Sequence, residues 1–403
     1  MARSKESCHC KGLPCEYCFI VNTRRFGRRL KIVLRAVLTG NFETSWKMPE
    51  PVQVVIWDQE GSRFLIEALE PMSYHIVRVR EFAIYLHPLI VWRTVIGVLM
   101  RRNTHYGIVI EYFKPKTVVT LIDNDSRFHR LASSFPDTSF VAIQNGVRSP
   151  THSDAARYLG PPTKYDSNLW CWGQNEIESY EALGHRFKKI TAVGSLRNEL
   201  FYRTVQDSKN SRSEGESFDV VLISQFRRQI LESHPIQAYV EYETLVCALA
   251  SYLSAHDGLR ACVAMVTGTG HPDHGQEKRF HDLRLGDLVD LIPRSEDLMS
   301  GYILTEQSNV VVSSSSALGF ESLARGRKTL MCSSLYSDTF ADQTFSPDWT
   351  PFSMDQEIFD KAMTNLLAIS RENFVSRNSE STNYFIIPAQ VNSISTLIKD
   401  LLD

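Results

Sequence analysis

Four consecutive serines, Ser313 to Ser316, stand between a strand-like run at 309–312 that reads as buried and a helical stretch at 317–325 that ends near Gly326. Serine at a helix start caps free N–H groups, and the same N-terminus presents donors and a positive dipole end to a phosphate without a metal. A plain capped helix needs one such residue. Four in a row, with Gly319 permitting close approach and Glu321 one turn in, point to phosphate binding. A second chemical cluster is Cys8, Cys10, Cys15 and Cys18, spaced C-x-C-x4-C-x2-C. Four thiolates at short range can close a tetrahedral zinc site, although zinc knuckles use two well-separated pairs, and a thiol-bearing tail is the competing reading.

Such groups need a frame, and β-branched runs alternating with helix-like stretches supply one. The first half offers strand-like runs at 52–57, 75–79, 116–122, 139–143, 169–172 and 189–193; the second offers 218–224, 261–267, 289–292, 309–312 and 328–332. Between them, residues 206–217 form a charged, serine-rich dozen with almost no apolar residue. The fold class implied is α/β, with two Rossmann-like domains facing across a cleft where a ligand meets the strands' carboxyl ends. The predicted layout is a basic, Cys-containing segment at 1–48, a first domain at 49–206, a linker at 207–217 and a second domain at 218–403.

Composition agrees with a globular chain: 403 residues, 43% hydrophobic, 22% charged, net charge −2. That balance gives no general case for a nucleic-acid partner. Residues 1–40 nevertheless carry nine Lys/Arg against two acids. From 24 to 38 the basic residues alternate with apolar ones, reading either as an amphipathic helix for an anionic membrane surface or as a helix docked on the first domain. The first 23 residues lack the apolar core of a secretory signal, so a cytoplasmic protein is expected, at most peripheral at the inner membrane face. The longest apolar stretch, 83–100, is broken by His87, Pro88 and Arg93 and reads as a core helix rather than a membrane span. Cys171, Cys247, Cys262 and Cys332 sit among apolar neighbours and are expected buried and reduced.

The segment S-S-A-L-G-F-E-S-L-A-R-G-R-K-T-L from Ser315 resembles the nucleotide-binding segment of two-Rossmann-domain (GT-B) glycosyltransferases that build bacterial surface polysaccharides, capsule-type Kdo transferases and surface carbohydrate biosynthesis proteins among them. The resemblance implies that Ser314, Ser315 and Ser316 hold the donor phosphate and that Glu321 meets the ribose. Gly270-His271-Pro272 is similar to the His-Pro motif of CMP-sugar transferases, in which His271 would contact that phosphate; an exposed turn is the alternative. In W-G-Q-N-E and G-S-L-R, Gly194, Ser195 and Arg197 would sit near the cleft, faced by Ser224 and Gln225. Gln144-Asn145-Gly146-Val147-Arg148-Ser149 resembles the acidic-Asp-Gly-x-Arg-Ser pattern whose Asp is the catalytic base, but Asn145 stands at the decisive place.

An asparagine can orient a hydroxyl but has no basic lone pair at neutral pH. Asp123 is therefore the substitute base, with Asp125, His129 and His152 in reserve; Asp123 equally reads as a cap for a helix near Ser126. Gln144 and Asn145 would hold the acceptor, Gly146 would let it approach, and Arg148 would pair with its carboxylate or phosphate or lie exposed. Asp123-Asn124-Asp125 also matches a metal-binding D-x-D, which the second Rossmann half argues against. The resemblance thus implies an inverting, metal-independent transfer, with no cofactor beyond a nucleotide sugar. The donor implied is CMP-linked Kdo or a nonulosonate, and the acceptor a glycan or lipid-linked glycan. The alternatives are a CDP-polyol phosphotransferase, a sugar-nucleotide epimerase and a non-catalytic binding protein.

Overall fold

A computed structural model describes residues 44–59, 61–79, 84–99, 105–146, 159–207, 218–231, 237–333, 348–350, 355–388 and 393–402. The chain forms two packing units, residues 1–51 with 76–114 and residues 52–75 with 115–403. The larger unit is built on both sheets the sequence implies. In the first, β1 (Val54–Trp57), β2 (Tyr74–Val77), β3 (Thr117–Thr120), β4 (Ser139–Ile143), β5 (Asn168–Cys171) and β6 (Lys189–Ala192) lie in the order β2-β1-β3-β4-β5-β6. The chain leaves this unit along the edge strand β2. The runs VVIW of β1 and TVVT of β3 are buried throughout, as expected of parallel strands with both faces covered.

The second sheet holds β7 (Phe218–Ile223), β8 (Ala261–Ala264), β9 (Asp290–Ile292), β10 (Ser308–Ser313) and β11 (Lys328–Met331) in the order β9-β8-β7-β10-β11, all parallel. Strand order reverses between β1 and β3 in one sheet and between β7 and β10 in the other. In open α/β sheets, ligands bind outside the strands' carboxyl ends at such points.

The second half's core is made by Val220, Leu222, Val310 and Val312 against Tyr242, Phe280, Phe320, Trp349 and Phe385, and it takes in Trp172 from the end of β5. Beside it, Gly173 is required by contact: a Cβ there would lie 2.5 Å from the Tyr384 carbonyl oxygen. The Trp172 carbonyl accepts from Ile387 N at 3.0 Å. Beyond that point the chain crosses back. The helix Ser393–Asp400 is tied to the first half by Glu199, whose carboxylate accepts from Ile394 N at 2.7 Å and from Ser395 N at 3.2 Å. The stretch expected to close the second domain thus packs on the first.

In the smaller unit, Thr44–Ser45 pairs in parallel with Ile84–Tyr85, and the helices Pro88–Leu99 and His105–Phe113 follow. The apolar stretch at 83–100 is not the core helix expected: Ile90 is buried, but Leu89, Val91, Trp92 and Val95 are exposed. Among the described residues, no helix is long and apolar enough to cross a membrane. Of the scattered cysteines, Cys171, Cys262 and Cys332 are buried, and burial pushes the Cys262 thiol up to about 12; Cys247 is exposed, contrary to expectation. Asp207 ends the helix Leu196–Asp207; the rest of the linker, the 24–38 segment, and Cys8, Cys10, Cys15 and Cys18 lie outside the described residues.

Candidate functional site

At the reversal point of the second sheet, β10 delivers its serines to the start of the helix Ala317–Ala324. They divide the work. Ser316 is the N-cap, its Oγ accepting from Leu318 N at 3.3 Å, while Ser313 Oγ accepts from Ser316 N at 3.2 Å. Ser315 is held across the crevice by Gln225, whose Oε1 accepts from Ser315 N at 2.6 Å and whose Nε2 donates to Ser315 Oγ at 3.1 Å. Ser314 is buried and, unlike Ser316, does not line the cavity beside this helix. Gly319 serves packing rather than ligand approach: a Cβ there would lie 2.7 Å from Met331 Sδ and 2.9 Å from Ser313 Cβ.

A cavity of about 520 Å3 opens beside this helix. Its lining includes Ser224, Ser316, Ala317 and Glu321, the apolar Val266, Ile292 and Leu298, and the polar Arg294, Ser295 and Asp297; Arg197 and Phe64 reach it from the first half. Glu321 is fully buried, its Oε1 accepting from Ser195 Oγ at 2.5 Å and its Oε2 from Tyr302 OH at 2.6 Å. Burial first, and the Glu321 charge second, push the Tyr302 phenol well above its usual range. Asn198 Nδ2 donates to the Glu321 carbonyl at 2.9 Å, and Arg325 Nη1 donates to Asn198 Oδ1 at 2.5 Å. The Ser195–Asn198 stretch is therefore one contact between halves, and Ser195 and Asn198 converge on Glu321.

Sequence reasoning missed the group that ties together the strand ends beside the cavity. Glu277, on the helix His274–Leu285, is fully buried; it accepts from Val266 N and Thr267 N at 2.9 Å each, and from Ser224 Oγ and Thr267 Oγ1 at 2.5 Å each. Ser224 is thereby committed to an internal network as well as lining the cavity. The signal was available in principle, since a glutamate three residues before Phe280 on an inward face is costly unless paired. His271 and Pro272 are exposed and do not line the cavity; His271 Nδ1 accepts from Asp273 N at 3.1 Å, so the histidine closes a turn.

The first sheet's lip behaves differently. Asp123 is fully buried, with Oδ1 accepting from Asn145 N and Oδ2 from Tyr180 OH, each at 3.4 Å, so it holds the loop and cannot meet an acceptor hydroxyl as a base must. Gln144 is also buried: Nε2 donates to the Gly146 carbonyl at 2.8 Å and Oε1 accepts from Trp172 N at 2.6 Å, which leaves it no acceptor-binding role. Asn145 Oδ1 accepts from Arg197 Nη2, and the Arg197 guanidinium lies 5.0 Å from the Phe64 ring centroid. Gly146 faces the serine-capped helix, where a Cβ would lie 3.8 Å from Ala317 Cβ.

Of the reserve bases, Asp125 caps the helix Ser126–Ala132, accepting from Arg127 N at 2.9 Å and from Trp57 Nε1 at 3.1 Å. Burial alone would raise its pKa, but these bonds and the Arg127 charge outweigh it and hold the carboxyl below the usual range. His129 is sealed between Ser167 Oγ at 2.8 Å and the Asp123 carbonyl at 2.6 Å, and desolvation lowers its pKa. Neither Asp123 nor Asp125 presents itself as half of a D-x-D pair. Arg148 and His152 lie outside the described residues.

Two parallel Rossmann-like sheets, with a serine-capped helix at the reversal point of the second, define the GT-B architecture. The fold is shared with UDP-GlcNAc 2-epimerase from Neisseria meningitidis, bound to UDP-GlcNAc (TM-score 0.51, 14% identity, 87% of this chain and 98% of that chain). It is also shared with S. aureus MnaA in its UDP co-structure (0.51, 12%, 86% and 94%) and with UDP-GlcNAc 2-epimerase from Methanocaldococcus jannaschii in complex with UDP-GlcNAc and UDP (0.50, 11%, 89% and 99%). The chain belongs to the family described as "putative O-antigen biosynthesis protein", whose model matches residues 141–393, more than half its length. No curated protein matches it.

Proposed function

We propose that this chain is a glycosyltransferase of bacterial surface-polysaccharide assembly that binds a nucleotide sugar in the 520 Å3 cavity. One observation carries the reading: the start of the serine-capped helix, the Glu321 carboxylate and an open cavity meet at the reversal point of the second sheet. The apolar part of the lining, Val266, Ile292 and Leu298, suits a nucleobase. Glu321 has lone pairs beyond the two its neighbours occupy and can accept from ribose hydroxyls. The helix start would stabilise charge on the departing phosphate, as at an oxyanion site, once Gln225 releases the Ser315 N–H.

The donor proposed is CMP-linked Kdo or a nonulosonate, transferred with inversion and without a metal. On the acceptor side, Arg197 and Asn145 are the polar pair at the lip. A specific observation favours a second reading: with Asp123 sealed and an asparagine at 145, the same cavity would serve a binding protein that performs no transfer. Thermal shift of the full chain with CMP, CDP, UDP, GDP and ADP tests the nucleotide binding that both readings require, and release of free nucleotide from the donor on addition of a glycan acceptor separates transfer from binding alone. A nucleotide at a hundred times its Kd stabilises by about 2.7 kcal/mol. Selective stabilisation by CMP supports the sugar-acid donor, and a UDP preference moves the assignment to an epimerase, assayed by UDP release without acceptor. No stabilisation by any nucleotide overturns the proposal.

A further inference from the structure

The two packing units differ sharply in charge. Residues 1–51 with 76–114 carry sixteen Lys and Arg against six Asp and Glu, a net of +10, so the overall −2 leaves the larger unit at −12. On the basic unit, the helix Pro88–Leu99 is built inside out. Ile90 turns inward, while Leu89, Val91, Trp92 and Val95 are exposed, Leu89 at 53% and Trp92 at 63%. At 100° per residue these four fall on one face, where a surface helix of a water-soluble fold carries polar groups. Trp46, exposed at 66%, follows Ser45, whose carbonyl accepts from Leu86 N at 2.7 Å. A second tryptophan therefore stands near the amino end of the same helix.

A contiguous apolar face of this kind needs a covering partner. The net positive charge of the unit that bears it selects the partner: a surface that is apolar just below a negatively charged layer. We infer that the Leu89, Trp92 and Val95 face, with Trp46, seats this chain on an anionic lipid bilayer. Twelve residues are too few to span a bilayer, so the helix lies in the interface plane, where tryptophan is favoured and arginines reach headgroup phosphates. Arg93 marks the edge of that face, paired with Glu111 at 2.5 Å. The inference stands on the smaller unit alone and does not depend on the nucleotide-sugar reading.

Co-sedimentation of the full chain with phosphatidylcholine vesicles, with and without about one third phosphatidylglycerol, tests it. The wild-type chain should sediment with the anionic vesicles and be released by about 0.5 M salt. The double variant Trp92→Glu, Val95→Glu should lose at least about tenfold in partitioning at an unchanged Tm, and Trp92→Phe should retain most of it. Equal sedimentation of the double variant and the wild type would assign binding to the basic amino-terminal segment and overturn the inference. So would absence of vesicle binding by the wild type, or a wild-type dimer that the double variant converts to monomer, which would show a second copy covering the face.

Discussion

The lips of the two sheets carry the same kinds of residue at the same topological place, yet they are closed to different degrees. Around the first, Asp123, Gln144 and His129 spend their polar atoms on the protein: a loop N–H, the Trp172 N–H, a serine, a main-chain carbonyl. Around the second, Ser224, Ser316 and Glu321 keep internal partners but also line an open cavity. Polar side chains at strand ends do not by themselves mark a site; the residue types are alike, and the difference is whether space remains beside them.

The largest test strikes both lips at once. His281, behind Ser224, is held down to about 4, mainly by burial, and His129 behind Asp123 is lowered for the same reason; His105 in the smaller unit also falls to about 4. Each folded-state pKa lies below the unfolded value, so the unfolded chain takes up protons first. The stability from keeping these rings neutral is complete above about pH 6.5 and is lost as pH falls toward 4, by up to about 1.4 kcal/mol per pH unit for each ring. Guanidinium unfolding between pH 7 and 4.5 should show this steep loss. A flat profile would mean that the rings are not sealed and that the two lips are equally open.

Gln144→Ala should lower stability by about 2–3 kcal/mol, because the buried Trp172 N–H loses its acceptor. The fraction that remains folded should bind nucleotide within about twofold of wild type, since 1.4 kcal/mol corresponds to tenfold and the residue does not line the cavity. Unfolding midpoints together with nucleotide titration check this. A loss of affinity without loss of stability would return Gln144 to the ligand-binding side.

The sheets were legible because parallel strands announce themselves: VVIW, TVVT and FDVVLI are apolar on both faces and bounded by polar turns. The serine run was legible as a capped helix start for the same local reason. Asp123 and Gln144 were misjudged because accessibility is set by the groups that pack over a strand end, here Tyr180 on Asp123, 57 residues away, and Trp172 on Gln144, 28 residues away and itself tied to the returning chain at Ile387. Glu277 could be marked as an inward-facing glutamate, but its partners could not be read, because they are backbone N–H groups ten and eleven residues away. The inverted helix at 88–99 was read as core because hydropathy reports apolarity, not direction.

At the open lip, Glu321→Ala should weaken nucleotide binding by about 1–3 kcal/mol if ribose hydroxyls bond to its carboxylate. Stability would also fall, because Ser195 and Tyr302 lose their acceptor. The two effects separate by experiment: calorimetric titration below the unfolding range reads affinity, and the thermal midpoint without ligand reads stability. Unchanged affinity alongside a lowered midpoint would make Glu321 a strut between the halves, like Asp123, and would close the contrast between the lips.

The smallest effect is the most discriminating. Gln225 and Gln144 are the same side chain, each bridging a strand end to a neighbouring loop, but Gln225 is only part-buried and bonds to the N–H and hydroxyl of Ser315, the groups a phosphate would take. Removing it should cost stability only about 0.5–1 kcal/mol, the net worth of an incompletely buried hydrogen bond. Because the amide competes with the ligand for Ser315, Gln225→Ala should tighten binding of inorganic phosphate or a free nucleotide severalfold while stability barely moves. If affinity instead falls, Gln225 itself contacts the ligand, and the helix start is completed from the β7 end rather than uncovered there.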